Sequence, residues 1–332
     1  MSVADGYQAL NRGSLFLDRS DRLRMRFTGP KSAELINGMV TSDVASLTPG
    51  RGQYSAALTA KGKIVADLRI FSVADGLLVD TNAPASRGWR EIVTKYVNPR
   101  LAPYSDVTAQ TTDFTIAGAG AATLLASLLG VDGNSLKLLD PFAHVTARYD
   151  GSDAAVIRTP EFGVECYDLI ATSESAPLLR SAILSAGAIQ PDAELWTVLR
   201  IESGRPEWGV DMDETTLPQE ALLDALGAIS FTKGCYIGQE VVARIHFRGH
   251  VNRLLRKIRF VTPLLPPRGA TIVDDGGLVV GELKSTALSP RSGGIGLGMV
   301  RREVEPGSTL HARWDGGEAS VQIEGEKKGA TA

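Results

Sequence analysis

The feature that most constrains the fold is a change in sequence pattern at the proline-rich stretch VTPLLPPRG, residues 261–269. Before this stretch, runs typical of strands alternate with longer runs typical of helices, as they do in mixed α and β domains. After it, short β-type runs are separated by pairs of glycines, from ATIVDDGGLVV to HARWDGGEASVQI. The first part of the chain therefore predicts α+β structure, and the last part predicts a small antiparallel β-barrel.

The length of the chain supports a division into several domains. A chain of 332 residues is too long for one ordinary hydrophobic core. We predict an α+β protein with two α+β domains and a small C-terminal antiparallel β-barrel. The predicted boundaries are residues 1–108 with 190–249 for a discontinuous first domain, 110–189 for a ferredoxin-like second domain, 250–325 for the barrel and 326–332 for a disordered tail.

Local patterns predict individual elements of the two α+β domains. The stretch GQYSAALTAKGKIVADLRIFSVADGLLVDT predicts a meander with turns at AKGK and ADG. ASRGWREIVTKYV predicts an amphipathic helix, and DAELWTVLRIESG predicts a helix that ends at Gly204. IAGAGAATLL follows a strand and opens a helix, but Thr123 stands where a dinucleotide-binding fingerprint needs glycine or alanine. It therefore predicts a tight turn and not a Rossmann site.

Composition excludes several classes of protein. Apolar residues make up 43% and charged residues 22%, as in soluble globular chains. The formal net charge of −3 gives no electrostatic case for direct binding of nucleic acid or a membrane. The N-terminus lacks a secretory pattern, and no apolar run approaches the roughly 18 residues that span a bilayer. Cys166 and Cys235 form no disulfide framework, so we predict a cytoplasmic location, with a single bridge between them as the less favoured alternative.

A partial zinc site is the first hypothesis that the histidines raise. His246 and His250 stand four residues apart, and Cys235 lies eleven residues before His246. Gly249 interrupts the helical spacing, and the fourth ligand that a structural zinc site needs is missing nearby. We therefore predict a surface or packing role for these histidines and no stably bound metal.

Cys235 stands in the stretch FTKGCYIGQEVVARIHFRGH, whose residues favour a reactive thiol. Lys233 is two residues away, and a helix is predicted to begin just beyond the cysteine; a cation and a helix N-terminus both favour the thiolate. Gly234 and Gly238 allow tight turns and a close approach by another molecule. A buried, inert cysteine in a tight turn explains the same residues nearly as well. Local chemistry alone leaves both interpretations open.

Three motifs resemble those of the folate-binding YgfZ proteins, which are relatives of the glycine-cleavage aminomethyltransferase. KGCYIGQEVVAR, residues 233–244, is similar to the signature of the YgfZ branch. LRIESGRPEWGVDMDETTLPQEALL is similar to a segment that the whole superfamily shares. RTPEFGVECY, residues 158–167, resembles the transferase pattern YTGEDGFE. The resemblance implies two α+β domains and a barrel arranged around a central folate cleft, with the first domain as the folate-binding one.

The resemblance also implies roles for individual residues. Glu161 matches an acid that contacts the pterin, and Arg200 matches an arginine that contacts the same ligand. A carboxylate accepts N–H donors of an aminopyrimidine edge, and a guanidinium suits a carbonyl or carboxylate. Cys235 is implied as the functional thiol, with Lys233 favouring its thiolate. The further residues implied at the tetrahydrofolate or derivative are Gly234, Tyr236, Gly238 and Gln239.

One departure from the transferase pattern concerns the mechanism. Transferases carry an aspartate at the end of the stretch NAxNxxKD, and the matching stretch here, NAPASRGW, ends in Trp89. The resemblance therefore implies that folate binding is kept while the acid that assists aminomethyl transfer is lost. An acid from elsewhere in the chain, such as Asp43, Asp67 or Asp211, is the alternative.

Three functions follow as hypotheses. The main one is a tetrahydrofolate-binding accessory protein that supports iron–sulfur cluster assembly or repair and cluster-dependent enzymes such as tRNA-modifying methylthiotransferases. Its implied partners are folate, cluster-assembly proteins and cluster-containing client enzymes, and Cys235 is a transient cluster ligand, since stable clusters usually need about four thiolates. The second is a folate-dependent aminomethyl or other one-carbon transferase, or a demethylase. The third is a folate-responsive binding module without thiol chemistry.

Overall fold

The computed structural model describes residues 2–262 and 264–325, so the predicted disordered tail at 326–332 lies outside the described residues. No helix within those ranges is long and apolar enough to cross a membrane. The α-helices, in chain order, are α1 (Val3–Leu10), α2 (Ser32–Asn37), α3 (Ser86–Tyr96), α4 (Ala121–Leu129), α5 (Gly133–Lys137), α6 (Ala176–Ser185), α7 (Ala193–Ser203) and α8 (Gln239–Arg248).

The strands form two open sheets and one closed barrel. The open sheets contain β1 (Leu15–Asp18), β2 (Leu23–Thr28), β3 (Gly52–Leu58), β4 (Ile64–Val73), β5 (Gly76–Thr81), β6 (Tyr104–Asp106), β7 (Thr111–Ala117), β8 (His144–Tyr149), β9 (Ser152–Arg158) and β10 (Cys166–Thr172). The barrel contains β11 (Arg253–Phe260), β12 (Thr271–Asp274), β13 (Val279–Ser289), β14 (Gly293–Arg301), β15 (Leu310–Trp314) and β16 (Gly317–Ile323).

The first sheet has the strand order β3-β4-β5-β2-β6, with antiparallel neighbours throughout. Its β3-β4-β5 part is the predicted meander, with turns at the glycine-containing sequences AKGK and ADG. Helix α3 covers one face of this sheet. Its Trp89 is fully buried and lies edge-on to Phe27 of β2, with ring centroids 6.3 Å apart. The apolar side of the predicted amphipathic helix therefore forms part of the core.

The second sheet has the order β1-β7-β10-β9-β8. Its first strand comes from the N-terminal part of the chain: β1 pairs antiparallel with β7, and Leu15 lies opposite Ala117. This pairing crosses the predicted boundary between the first two domains, and the boundaries themselves stay a prediction. The glycine-rich turn between β7 and α4 is tight because Gly118 has φ +116°, and a Cβ there would lie 2.6 Å from the carbonyl oxygen of Gly13.

The C-terminal barrel closes in the order β11-β14-β13-β12-β15-β16. Its interior is filled by alternating apolar side chains, among them Ile258, Leu283 and Val300, which are all at most 1% exposed. Closure leaves no unpaired strand edge along the barrel. The predicted fold class, two mixed α and β units followed by a small antiparallel barrel, is therefore confirmed.

Helix α7 joins the second sheet to the barrel. Leu195 packs in a cluster with residues of β1 and the β10 region, whereas Val198 packs against apolar side chains of the barrel. The helix ends at Gly204, which has the left-handed φ of +71° that the sequence predicted for a C-cap glycine. Arg200, near the end of this helix, is thereby placed where the open sheets and the barrel meet.

Candidate functional site: a charged cleft and a separate thiol loop

A cleft of ≈ 280 Å³ lies between the two open sheets and α7. This volume is close to the lower limit of about 300 Å³ for small-molecule sites, enough for a ring system whose remainder extends outwards. Several chain segments that are far apart in sequence form its wall. The wall residues that matter below are Arg19, Asp21, Arg22, Tyr54, Asp67, Glu161, Phe162, Trp196, Arg200, Arg205 and Glu207.

Glu161 lies at the cleft in the turn between β9 and β10. One of its carboxylate oxygens is 2.6 Å from Nη1 of Arg19, and the other is 3.5 Å from Nη1 of Arg69. Burial raises the pKa of Glu161, but the neighbouring guanidiniums, first Arg19 and then Arg69, outweigh burial and hold the pKa well below its ordinary value. The cleft therefore contains an ionised carboxylate that is 17% exposed.

A buried charge network lies beneath Glu161. Its centre is Arg69 of β4, which donates to Asp80 of β5 at 2.6 Å, to Asp113 of β7 at 3.0 Å and to Asp168 of β10. All four side chains are at most 1% exposed. Burial, followed by the charge of Asp168, raises the pKa of Asp113 to about 7. The network links the first sheet to the second, and its central residue, Arg69, also contacts Glu161.

Asp67 of β4 presents a second carboxyl group to the cleft. The hydroxyl of Tyr54 donates to its Oδ2 at 2.9 Å. Burial raises the pKa of Asp67. Its Oδ1 is buried and has no hydrogen-bond partner among the described residues. Asp67 is thus a carboxyl group that is drawn towards protonation and has one oxygen free to meet a bound molecule.

Trp196 adds an unpaired donor to the same cleft. Its ring lies 4.9 Å from that of Phe162, and the side chain is 6% exposed. Its Nε1 is buried without a hydrogen-bond partner among the described residues. Buried polar atoms are nearly always satisfied in native proteins. The orphan Nε1 donor and the orphan Oδ1 of Asp67 together suit a flat, polar molecule that offers both an acceptor and a donor.

Arg200 lines the cleft, but its guanidinium is already engaged by the protein. It donates to a carboxylate oxygen of Asp211 and, at 2.8 Å, to the hydroxyl of Ser285 in the barrel. Its Nε lies 3.1 Å from Glu207, and the side chain is 11% exposed. Arg200 therefore joins α7, the loop that follows it and the barrel. Its implied contact with a ligand stays a prediction.

Cys235 is exposed and not disulfide-bonded, on the loop that precedes α8, whereas Cys166 is free and buried. The ammonium group of Lys233 donates to three backbone carbonyls, those of Asn37 (2.6 Å), Val40 (2.8 Å) and Ser42 (2.7 Å). Burial lowers the pKa of Lys233 to about 8. The direct bonds of Lys233 anchor the loop to residues 37–42, and its predicted effect on the thiolate remains untested.

The cleft wall contains none of the described residues 233–239, so the loop does not line the volume beside Glu161. Tyr236 is 8% exposed and belongs to the apolar cluster that also contains Tyr54. Gly238 has φ +83°, and a Cβ there would lie 2.5 Å from the carbonyl oxygen of Thr59. Gln239 begins α8. Packing explains the identity of Tyr236 and Gly238, and the implied role of all three residues at the cofactor stays a prediction.

Gly234 differs from Gly238 in its surroundings. No atom lies within 4 Å of the position that its Cβ would occupy, and its φ is not in the left-handed region. Packing therefore does not require glycine at this position. The residue is exposed, as is Cys235 beside it. The open space agrees with the prediction that another molecule can approach the thiol.

Trp89, which stands at the position of the transferase aspartate, lies in the core of the first sheet. It is 0% exposed and is not part of the cleft wall. The implied loss of the acid that assists aminomethyl transfer stays a prediction. Asp67, one of the three alternative acids that the sequence offered, lines the cleft from β4.

The histidines that raised the zinc hypothesis have other contacts. His246 stacks on Phe231, with ring centroids 3.6 Å apart, and is edge-on to Phe247 at 4.7 Å. Within residues 2–262 and 264–325, no group of three or more histidine, cysteine or acidic side chains is arranged to hold a metal ion. His246 has the packing role that its surroundings predict.

Sequence reasoning missed most of the cleft. Arg19, Tyr54 and Trp196 come from three separate segments, and only the fold brings them together. Arg69 carried one detectable signal: it and Asp67 are charged residues within the mostly apolar strand IVADLRIFSV. Such a residue in a central strand is buried only when partners satisfy it.

Comparison with known proteins identifies a solved structure with the same fold as this chain and a family to which its sequence matches. The GCVT N-terminal domain family matches residues 1–233. The tRNA-modifying protein YgfZ of Escherichia coli O45:K1 (strain S88) is 31% identical over 247 residues, 73% of this chain and 71% of that protein. YgfZ of Escherichia fergusonii is 30% identical over 248 residues, with the same coverage of each chain. The structure of the glycine cleavage system aminomethyltransferase T from Bartonella henselae superposes with a TM-score of 0.86 at 20% identity, covering 98% of this chain and 88% of that one.

The architecture thus defines the class: the chain has the aminomethyltransferase fold. It belongs to the GCVT N-terminal domain family and, within it, to the YgfZ proteins. The resemblance that KGCYIGQEVVAR and two further motifs indicated is confirmed at the level of the family.

Proposed function

We propose that this protein binds tetrahydrofolate, or a derivative of it, in the cleft beside Glu161. The observation that carries the proposal is the ionised carboxylate of Glu161, held in place by two guanidiniums at the edge of a cleft with aromatic walls. A carboxylate has about four acceptor sites, so Glu161 keeps capacity for N–H donors of an aminopyrimidine edge. Membership of the GCVT family supports the same ligand class.

The remaining polar groups of the cleft fit such a ligand. Two buried polar atoms of the wall residues, Oδ1 of Asp67 and Nε1 of Trp196, have no hydrogen-bond partner among the described residues, and the proposal assigns them an N–H donor and an acceptor of the ring system. Tyr54 and Phe162 contribute aromatic side chains to the cleft wall. When bound, tetrahydrofolate supplies a nitrogen carrier for one-carbon units. The protein's part is to bind and orient the ring and to place the Asp67 carboxyl group against it.

We propose that the protein supports iron–sulfur cluster assembly or repair, with Cys235 as the functional thiol. Its relatives are named tRNA-modifying proteins, and tRNA-modifying methylthiotransferases are cluster-dependent client enzymes of the expected kind. The exposed position of Cys235 and the open space at Gly234 suit contact with a partner protein. Since a cluster usually needs about four thiolates, Cys235 supplies one ligand and the partner supplies the others.

The thiol role predicts that Cys235→Ala fails in a rescue assay. In cells that lack this protein, the wild-type chain should restore methylthiolation of tRNA, measured by mass spectrometry of nucleosides. Cys235→Ala should remain near the level of the empty vector, because the exposed thiol is removed without disturbing a packed side chain. Cys166→Ala is the matched control: it removes the buried cysteine and should restore methylthiolation.

Equal protein levels, checked by immunoblot, make the comparison interpretable. Rescue by Cys235→Ala equal to the wild type would contradict the thiol role. If Glu161→Gln failed in the same assay while Cys235→Ala succeeded, the protein would be a folate-responsive binding module without thiol chemistry.

A second function, folate-dependent one-carbon transfer, is favoured by one observation. Asp67 lies at the cleft with a raised pKa, a hydrogen bond from Tyr54 and an oxygen without a partner. A carboxyl group with a raised pKa holds its proton more readily than an ordinary aspartate and is therefore better suited to act as a general acid. This is the acid that an aminomethyl transferase or a demethylase would need.

The transfer hypothesis predicts methylenetetrahydrofolate from tetrahydrofolate and a methylated or aminomethylated amine in the presence of pure protein. Asp67→Asn should lower the rate about 100-fold or more, since general acid–base catalysis contributes about 10²–10⁴-fold. Asp21→Asn, at an exposed position of the same cleft, is the control and should keep the rate. Absence of product from the wild type, with every donor and an added oxidant for the demethylase reaction, would contradict this function.

A further inference from the structure

The arginines of the cleft differ in how their charge is compensated. Arg205 has no carboxylate within ion-pair distance among the described residues, although it lines the cleft. Its guanidinium instead lies over the ring of Tyr54, 5.6 Å from the centroid. The other three arginines of the wall each have a carboxylate partner: Arg19 with Glu161, Arg22 with Asp80 and Arg200 with Asp211.

The position of Arg205 is fixed by the backbone around it. Its carbonyl oxygen accepts from Nη1 of Arg200 at 2.9 Å, and its amide donates to the carbonyl of Arg200 at 3.2 Å. The preceding Gly204 turns the chain at the end of α7. The half-buried guanidinium is thereby held against the face of Tyr54. A cation–π contact orients a guanidinium but leaves its N–H donors free for another partner.

The acids of the cleft do not neutralise this cation by direct contact. Glu161 is paired with Arg19, and Glu207 lies 3.1 Å from Nε of Arg200. Burial, followed by the charge of Asp67, raises the pKa of Tyr54, so the phenol beside Arg205 is neutral. Tyr54, Asp67, Glu161 and Arg205 all line the same cleft. Arg205 is thus a fixed cation beside an aromatic ring in the same cleft as the orphan polar atoms of Asp67 and Trp196.

We propose that Arg205 forms an anion subsite of the cleft, which binds a carboxylate of the ligand and selects ligands that carry one. This inference rests on the proposed folate binding and deepens it. The planar guanidinium fork matches a carboxylate in a bidentate manner. Glu161 and Arg205 line the same cleft, and in this proposal a carboxylate of the p-aminobenzoylglutamate part binds Arg205 while the ring system binds beside Glu161. The cleft therefore discriminates between folates and pterins that lack this part.

The test is a calorimetric comparison of two ligands and three variants, Arg205→Met, Arg148→Met and Glu161→Gln. The ligands are tetrahydrofolate and a tetrahydropterin without the p-aminobenzoylglutamate part. Arg205→Met keeps the length of the side chain over Tyr54 and removes its charge. It should weaken tetrahydrofolate binding about 10- to 100-fold, the effect of a lost charge-assisted hydrogen bond, and leave tetrahydropterin affinity unchanged. Arg148→Met, at an exposed arginine of β8, should change neither affinity.

The outcomes separate this inference from the function on which it rests. Unchanged tetrahydrofolate affinity in Arg205→Met, with a loss in Glu161→Gln, would overturn the subsite and leave folate binding intact. Equal weakening of both ligands in Arg205→Met would also overturn it, because the residue would then act on the ring or on the fold. Absence of tetrahydrofolate binding by the wild type would overturn both proposals.

Discussion

Replacement of Arg69 by methionine should lower the free energy of unfolding by about 3–5 kcal/mol, the usual effect of removing one partner from a buried ionic network. Arg69 is 1% exposed and bonds to Asp80, Asp113 and Asp168, which are all fully buried. Without the guanidinium, three carboxylates remain in the interior without their central cation. The loss should be measurable by urea denaturation followed by circular dichroism.

Arg26→Met is the matched control for this experiment. Arg26 belongs to the same sheet and pairs with Asp75 at 2.6 Å, but both side chains are about half exposed. Exposed ion pairs contribute about 0–1 kcal/mol, so this variant should unfold almost as the wild type does. An Arg69→Met variant within that same range would contradict the view that the network holds the two sheets together.

The network also explains why binding at the cleft and stability of the fold are linked. Arg69 contacts Glu161 at 3.5 Å while it bonds to strands of both sheets. The Glu161 carboxylate is therefore in contact with an arginine that also stabilises the fold. A ligand that bonds to Glu161 should raise the midpoint of thermal unfolding, because it binds the folded state alone.

Much of the fold could be predicted because its signals are local. The meander β3-β4-β5, the end of α7 at Gly204 and the barrel after the proline-rich stretch each follow from periodicity and turn residues within a short window. The position of β1 in the second sheet could not be predicted in this way. Its pairing with β7 joins residues about a hundred positions apart, as Leu15 opposite Ala117 shows.

The buried charge network around Arg69 could not be predicted from the sequence either, because its members are far apart along the chain. Asp113 and Asp168 stand in the strands TTDFTIA and CYDLIAT, where a single acid resembles a solvent-facing residue of an alternating strand. Only the stacking of two sheets brings Arg69 of a distant strand within bonding distance of both. In CYDLIAT the sequence signal is an acid among mostly apolar residues, whereas the three threonines of TTDFTIA leave no such signal around Asp113.

The candidate site was predicted in part. Glu161 and Arg200 were named from the resemblance, and both line the cleft. Cys235 and its neighbours were expected beside them, but the loop is anchored elsewhere because Lys233 bonds to the carbonyls of residues 37–42. A motif shows which residues occur together in sequence, whereas the direction in which a loop faces depends on its tertiary contacts.

The second large effect concerns ligand affinity. Glu161→Gln should weaken tetrahydrofolate binding by about 2–5 kcal/mol, the range for loss of one charged partner in a buried contact. Glutamine keeps the size of the side chain but replaces one acceptor oxygen by an N–H₂ donor, which opposes the N–H groups of an aminopyrimidine edge. The variant's folding should be checked by circular dichroism, since Arg19 loses its 2.6 Å partner. Asp21→Asn, which alters an exposed acid of the same cleft, should bind as the wild type does.

The most direct test of folate binding at this cleft is isothermal titration of tetrahydrofolate, under anaerobic conditions, into the wild type, Glu161→Gln and Asp21→Asn. We expect saturable binding with one site per chain in the wild type and in Asp21→Asn, and a clear loss of affinity in folded Glu161→Gln. No saturable binding by the wild type, or equal affinity in all three proteins, would contradict the assignment of the cleft as a folate site.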